Sequence, residues 1–353
     1  MANINQERKK IDSIDKNIVK LLNERANIAL TIGKEKIKTG EKIYSPSREK
    51  DVIKKASSGK TVLSYEDLTS IYTEIISACR NLQTTTKIAF LGPWATWTHQ
   101  AALKKFGSSG LFIPCADVGS VIEEIENSRA DFGIVPVENS NEGSVNVTLD
   151  LLVDVNLFVC GEISIKIDQS FLVKEPTNQI LRIYSHPQGL AQCRKWLSKN
   201  YPDVELIPVA STAEAAKKVA KESFAAAIAS EAAAKIYKLH VLESGIQDGK
   251  QNFTRFFVIG HDKTKPTKDD KTSLVFMIKD DRVGALHDIL SVFDKNKINM
   301  TKIESRPSKK KVWEYMFFAD IEGHFEDKKV ANTVKELKDF CVFVKVLGSY
   351  PKA

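Results

Sequence analysis

The sequence predicts a multidomain chain with an all-α helical head, an α/β middle segment and a small βαββαβ tail. Three observations carry this reading. Residues 4–38 contain no proline and a single glycine, Gly33, and their apolar residues recur at helical spacing. Residues 87–262 alternate short β-rich runs with helical ones, the signature of an α/β sheet. Beyond a charged stretch at 261–271 that contains Pro266, a compact strand–helix–strand–strand–helix–strand order follows. At 353 residues the chain exceeds one ordinary core, so two or three domains are expected.

In the head, Ile11, Ile14, Ile18, Leu21, Ile28 and Ile32 mark one face of a helix of about 35 residues and about 50 Å. Arg25 and Lys36 fall in the same stripe. A charge in a buried seam is costly unless something opposite neutralises it. No run of Asp or Glu on a neighbouring helix offers that partner, so the pattern asks for a bound anion. A single cation at a stripe's edge would simply snorkel, and Arg8, near the margin, fits that simpler reading. Two cations centred in the stripe favour the ligand. The helix is too long to bury its stripe within one head, so pairing with a second copy is expected.

Tyr44-Ser-Pro-Ser-Arg-Glu breaks this helix and opens a second, with Ser45 or Ser47 as cap and Arg48 and Glu49 in its first turns. A third begins near Ser64, with the stripe Leu68, Ile71, Ile75, Cys79 and Leu82, and Gln83 one turn after Cys79. Gln83 to Thr86 reads as a linker.

In the middle segment, strands are expected at 87–91, 111–115, 132–137, 157–167, 169–173, 182–184, 205–209, 226–229 and 252–260. Several run into polar loops that precede helices, at 92–98, 138–144, 185–189 and 211–214. Loops at the carboxyl ends of strands build the ligand crevice of an α/β sheet, and Ser/Thr-capped helix starts favour anions. None of them is a nucleotide-binding glycine loop. The tail is expected to run as strand 272–279, helix 284–295, strands 298–306 and 312–320, helix 328–340 and strand 342–347, a ferredoxin-like order.

Composition narrows the function. Apolar and charged shares of 42% and 27% are those of a globular protein. The opening MANINQERKK has no apolar core of a leader, and the most apolar stretch, Leu149 to Cys160, carries Asp150 and Asp154 and is too short for a bilayer. Five scattered cysteines read as free thiols in a reducing cytoplasm, and six histidines form no metal spacing. Net charge is +7, of which residues 1–83 supply +5 from 16 Lys and Arg against 11 Asp and Glu. A basic helical head suits nucleic acid or a small polyanion, but no aromatic residue is interleaved with those charges before Tyr44.

The three segments resemble three parts of one family. Arg8, Arg25, Lys36, Arg48, Glu49 and Gln83 match the shared cations and polar groups of the all-helical chorismate mutases. The middle resembles the prephenate dehydratases through GPWATWTHQAA, PVENSNEGSV, YSHPQGLAQC and above all NFTRFFVIG. The tail resembles the ACT regulatory domains of that enzyme through Gly284-Ala-Leu and Ile303-Glu-Ser-Arg-Pro. In the fused order mutase–dehydratase–regulator the match covers nearly the whole chain, with expected domains at 1–83, 87–262 and 271–350. It departs from the family at Ala95, where glycine is usual, at Trp97, and at Ser45 and Cys79 in the head.

The resemblance implies two reactions and one control. Rearranging chorismate to prephenate needs neither metal nor nucleophile, only a held conformer and charge stabilised on the breaking ether. Arg25, Arg48 and a partner copy's Arg8 would hold the carboxylates, Lys36 and Gln83 would face the ether oxygen, and Glu49 would take the hydroxyl. In the second step prephenate loses hydroxide and CO2 to give phenylpyruvate. Thr254 would contact the leaving hydroxyl, with Thr96, Thr98, Asn139, Ser185, Gln188 and Ser211 lining the pocket, while Arg255 would bind a carboxylate or brace the lobes. The dehydratase fold implied is two-lobed and periplasmic-binding-protein-like. The tail would bind phenylalanine through Gly284, Ala285, Leu286, Glu304, Ser305 and Arg306. No cofactor is implied, and the partners are small molecules and a second copy, with no nucleic acid and no membrane. The rival readings are a ligand-sensing transcriptional regulator and a non-catalytic amino-acid sensor. A head of one long helix with inward cations fits the first poorly.

Overall fold

The structure, a computed structural model, describes residues 4–59, 61–176, 179–249, 251–279, 282–308 and 314–353. The chain forms two compact units, one of Met1–Lys87 with Leu103–Leu111, the other of Ile88–Ala102 with Phe112–Ala353.

The first unit is helical: α1 Ile4–Thr39, α2 Pro46–Ala56 and α3 Tyr65–Gln83. Ser45 is the N-cap of α2 with proline in its first turn, and Ser64 opens α3 through a reciprocal capping box with Asp67, worth about 1 kcal/mol. The buried residue of α1 is Gly33, and the reason is Gln83. A Cβ on Gly33 would lie 2.6 Å from Gln83 Cγ, so the glycine lets α3 lie on α1 at that point. Away from this contact the apolar stripe of α1 is open. Ile11, Ile14, Ile18, Leu21, Ile28 and Ile32 are 47–62% exposed in the single chain. The segment 103–111 packs on α3, with Gly107 against Ser77 and Phe106 against Tyr44.

The second unit continues with β1 Lys87–Leu91, α4 Trp97–Phe106, β2 Leu111–Cys115, α5 Val118–Glu126, β3 Phe132–Asn139, β4 Gly143–Ser144, α6 Asn146–Asp154 and β5 Phe158–Lys166. Next come β6 Ser170–Val173, β7 Arg182–Ser185, α7 Pro187–Gln192, α8 Arg194–Asn200, β8 Glu205–Pro208, α9 Thr212–Val219, β9 Ala225–Ala229, α10 Glu231–Tyr237, β10 His240–Ser244 and β11 Phe253–Gly260. Two sheets result, ordered β2-β1-β3-β11-β5 with β4 beside β3, and β10-β6-β9-β7-β8. The chain passes from the first sheet to the second between β5 and β6 and returns between β10 and β11. These are the two crossings of a two-lobed α/β domain. Strand β10 had no sequence signal because all five of its residues are exposed on a sheet edge, which removes the period-two pattern.

The tail is β12 Asp270–Ile278, α11 Ala285–Lys295, β13 Met300–Pro307, β14 Tyr315–Glu322, α12 Lys328–Phe340 and β15 Cys341–Pro351. Its antiparallel sheet, ordered β13-β14-β12-β15, is the ferredoxin-like arrangement expected. Val312 and Trp313 of the expected third strand lie outside the described residues. This sheet shares a core with the first lobe, where Val275, Phe318, Leu347 and Tyr350 pack with Val135, Val137, Val159 and Phe257. A Cβ on Gly348 would lie 2.0 Å from the Val159 carbonyl oxygen, so only glycine fits where β15 crosses β5. Lys345 Nζ donates to the carbonyls of Leu152, Val153 and Val155 at the end of α6, where a cation suits the unpaired carbonyls. The stretch 261–271, expected to be a linker, is also packed in place. Thr264 donates to the Ser349 carbonyl, and buried Asp270 accepts from Thr267 while already starting β12.

Candidate functional sites

In the helical unit, Arg25, Lys36, Glu49 and Gln83 are half-buried, whereas Arg8 and Arg48 are exposed. Lys36 Nζ donates to the carbonyls of Lys42 and Ile43, each at 3.1 Å, which orients the ammonium and leaves one hydrogen unspent. Gln83 Nε2 donates to the Cys79 carbonyl at 3.2 Å, and its amide also keeps one hydrogen. Gln83 leans on Gly33, three residues before Lys36 on α1. Among the described residues no acid pairs with Arg8, Arg25 or Arg48, whereas Glu49 is taken by Arg80 at 2.5 Å. Arg80, 5% exposed, carries no sequence signal, because it lies beside the apolar stripe rather than in it.

In the α/β unit the structure brings Asn139 and Thr254 together. They are register partners in the β3–β11 ladder, and Asn139 Nδ2 donates to Thr254 Oγ1 at 2.9 Å. The orientation of this amide is settled by its other end, because Asn139 Oδ1 accepts from the backbone of Asn141 and Glu142 at 3.0 and 3.3 Å. Nitrogen therefore faces Thr254, Thr254 accepts, and its own hydroxyl hydrogen is free to be donated. The second Asn139 hydrogen goes to Asn252 Oδ1 at 2.8 Å. That leaves Asn252 Nδ2 buried and without a partner among the described residues, an unspent donor next to Thr254. Asn252 was legible as the first letter of NFTRF, yet was not named as a site residue.

The remaining crevice residues shape loops. Thr96 Oγ1 donates to the Leu91 carbonyl and accepts from His99 N; Thr98 is buried. Ser185 Oγ is fully buried and donates to the Ile228 carbonyl, and Ser211 caps α9. Gln188 is half-buried at the start of α7. No hydrogen bond among the described residues joins this group to Asn139 or Thr254. The loop 92–98 does reach the other lobe: the Trp94 carbonyl accepts from Tyr237 OH at 3.1 Å, and Gln100, just beyond it on α4, donates to Ser230. Ala95 stands at φ +71, where glycine is easier, but its methyl is buried in the core of the second lobe. His99 holds the loop, accepting from Ala95 N on Nδ1 at 3.3 Å, with its ring packed between Phe90 and Trp94. Burial lowers its pKa below 6.5.

Arg255, next to Thr254, points to the opposite face of β11. It bridges its own lobe to the tail, donating to Glu162 on β5 at 2.8 Å and, in the tail, to Asp320 at 2.5 Å and Tyr350 OH at 2.9 Å. Burial opposes its charge, but Tyr350, Asp320 and Glu162 outweigh burial and push its pKa above the ordinary value. A register shift in the β3–β11 ladder falls between Arg255 and Phe256, a device that re-aims side chains beside a site. Of the two roles open for Arg255, the geometry favours bracing.

In the tail, Gly284 at φ +84 opens α11, with Ala285 half-buried and Leu286 exposed. Alternation along β13 divides the remaining residues. Ser305 is exposed, whereas Glu304 accepts from Ser144 Oγ, and Arg306 reaches the Asn146 carbonyl at 2.8 Å and Asp150 at 3.3 Å. Glu304 and Arg306 thus grip β4 and α6 of the first lobe, on the other face of the strand from Ser305. All five cysteines are unpaired and buried, and burial pushes Cys193 to about 12 and Cys341 to about 11. Among the described residues no cluster of three or more metal-ligating side chains occurs, and no helix is long and apolar enough to cross a membrane.

A helical head whose Arg8, Arg25 and Arg48 pair with no acid among the described residues, a two-lobed α/β domain with a hydroxyl poised by an amide, and a ferredoxin-like tail define a fused, regulated enzyme of small anionic substrates. The chain matches the family models "Chorismate mutase type II" over residues 7–84, "Prephenate dehydratase" over 88–264 and "ACT domain" over 272–339. It is 48% identical to the bifunctional chorismate mutase/prephenate dehydratase of Aquifex aeolicus, covering 100% of this chain and 99% of that one. It is 42% identical to the protein of the same name from Pseudomonas aeruginosa, covering 98% and 97%. The crystal structure of prephenate dehydratase from Arthrobacter aurescens, in complex with L-Phe, superposes with a TM-score of 0.70 at 31% identity over 75% of this chain and 90% of that one. The chain belongs to the bifunctional chorismate mutase/prephenate dehydratase family. It converts chorismate to prephenate and prephenate to phenylpyruvate, in phenylalanine biosynthesis.

Proposed function

We propose that the two reactions run at two separate sites built from the residues above. In the head, Arg25, Arg48 and Arg8 of a second copy hold the two carboxylates of chorismate. The spare hydrogens of Lys36 and Gln83 meet the ether oxygen as negative charge develops on it. Glu49 accepts from the ring hydroxyl. The open stripe on α1 supports a paired head, since six large exposed apolar residues on one helix face call for a cover.

In the α/β unit, Thr254 donates its free hydrogen in a hydrogen bond to the leaving hydroxyl of prephenate. Carboxylate C–C cleavage then releases CO2, the electron pair aromatises the ring, and the hydroxyl leaves as water with a proton drawn from solvent, while Thr254 keeps its own proton and supplies a hydrogen bond to the departing oxygen. The Asn252 amide supplies a further donor to the substrate. The observation that carries this reading is the fixed orientation of Asn139, which leaves the Thr254 hydrogen unspent. Thr96, Thr98, Ser185, Gln188 and Ser211 shape the crevice around it.

The tail binds phenylalanine on the face that presents Gly284, Ala285, Leu286 and Ser305, and Glu304 and Arg306 pass the event to the dehydratase lobe. The L-Phe held by the Arthrobacter relative supports this choice of effector. Five thiols without disulfides fit a reducing cytoplasm. The test is a coupled assay, chorismate in and phenylpyruvate out, with and without phenylalanine. Phenylalanine is expected to slow the second step, and a rate indifferent to it would remove the regulatory reading.

A further inference from the structure

Among the described residues Arg80 is the one strongly buried cation of the helical unit, and the mechanism above leaves it without a task. Its Nη1 donates to Glu49 Oε1 at 2.5 Å and its Nη2 to the Phe106 carbonyl at 2.7 Å. Its guanidinium carbon lies 5.2 Å from the centroid of the Tyr44 ring and 5.5 Å from that of Phe106. A planar cation lodged against two rings and pinned through one nitrogen to a carbonyl has no freedom to swing. Its other nitrogen is therefore a fixed anchor for whatever it binds. That is a single oxygen of Glu49, whose side chain remains 20% exposed while that of Arg80 is 5% exposed. One carboxylate oxygen is tied inward, and no hydrogen bond or ion pair among the described residues takes the other.

We infer that Arg80 is a positioning residue for the mutase reaction: it fixes the Glu49 carboxylate so that the free oxygen meets the ring hydroxyl of chorismate. The inference rests on the assignment of Glu49 to that hydroxyl. A plain structural bolt would not need to leave its partner 20% exposed, and an apolar residue between Tyr44 and Phe106 would avoid desolvating a charge. Glu49 alone, on the first turn of a helix, would sample several rotamers. Misplacing a substrate-holding group by about 1 Å costs up to about a hundredfold in rate.

The test compares the full-length wild type with Arg80→Leu, Arg80→Lys, Glu49→Gln and the double variant Glu49→Gln/Arg80→Leu. Mutase kcat/KM is measured on chorismate and on a chorismate analogue lacking the ring hydroxyl. Arg80→Leu and Glu49→Gln are each expected to lower kcat/KM on chorismate by about tenfold to a hundredfold. The double variant should be no worse than Glu49→Gln alone, because the two residues act as one unit. On the analogue, Arg80→Leu should match the wild type. Three results would overturn the inference while leaving Glu49 in place: full activity of Arg80→Leu on chorismate, equal loss on both substrates, or effects that multiply in the double variant. Full activity of Glu49→Gln would instead remove the assignment on which the inference stands. Should Arg80→Leu fail to fold, Arg80→Lys decides by the same comparison, since an ammonium cannot hold Glu49 and the Phe106 carbonyl as a fork does.

Discussion

Asn139 Nδ2 lies 2.9 Å from Thr254 Oγ1, and the two residues face one another across β3 and β11. Because the far end of the amide is held by two backbone N–H groups, the pair has one polarity. Asn139→Asp keeps the shape and reverses that polarity, so the Thr254 hydroxyl would turn to donate to the carboxylate. Phenylpyruvate formation from supplied prephenate should then fall about a hundredfold, with the mutase rate unchanged. An undiminished dehydratase rate would show that the Thr254 hydrogen is not the one used.

The proposed mutase site takes donors from two copies of the chain. Lys36→Ala should lower mutase kcat by about a hundredfold to a thousandfold and leave dehydration of supplied prephenate intact. Arg8→Ala, by a different route, should also lower mutase activity. Mixing the two variants under exchange conditions should restore part of it, because a mixed pair has one site with both residues native. Continued inactivity on mixing would place Arg8 in its own chain's site.

Arg255 ties the strand of Thr254 to the tail. Its side chain is 16% exposed and that of Asp320 is 7% exposed. Asp320→Ala leaves a buried guanidinium short of a partner, and should cost about 3 kcal/mol, seen as a lower denaturant midpoint at unchanged slope. A midpoint equal to that of the wild type would mean that Glu162 and Tyr350 suffice.

His99 gives the α/β unit an acid-side weakness. Burial holds its folded pKa below the unfolded 6.5, so as pH falls the unfolded chain takes up the proton first. The stabilisation from neutral His99 is complete above 6.5 and is lost as pH drops toward the folded value. Thermal unfolding of the wild type should weaken over that window, and His99→Asn should weaken less. Parallel curves would assign the acid loss to other groups, such as His186, which burial shifts the same way.

Much of this molecule was legible because its signals are local. The long helix read over residues 4–38, the start of the third helix near Ser64 and the βαββαβ order follow from periodicity and caps. The motifs ENS and NFTRF pointed to Asn139 and Thr254 through the family resemblance, whereas their pairing on adjacent strands comes from the fold. What was not legible depends on tertiary neighbours. Arg80 acquires its meaning only from Glu49, Tyr44 and Phe106, each distant in sequence. The stretch 261–271 reads as linker because its charges hide Thr264 and Asp270, whose partners are Ser349 and the turn before β12. Glu304 and Arg306 share a motif with Ser305, but a strand sends alternate residues to opposite faces.

The most direct test is Thr254→Ala in the full-length chain, supplied with chorismate while prephenate and phenylpyruvate are followed together. Prephenate is expected to accumulate at the wild-type rate, with phenylpyruvate formation reduced by about a hundredfold or more. Phenylpyruvate appearing at the wild-type rate would contradict the account, and so would an equal loss of both products.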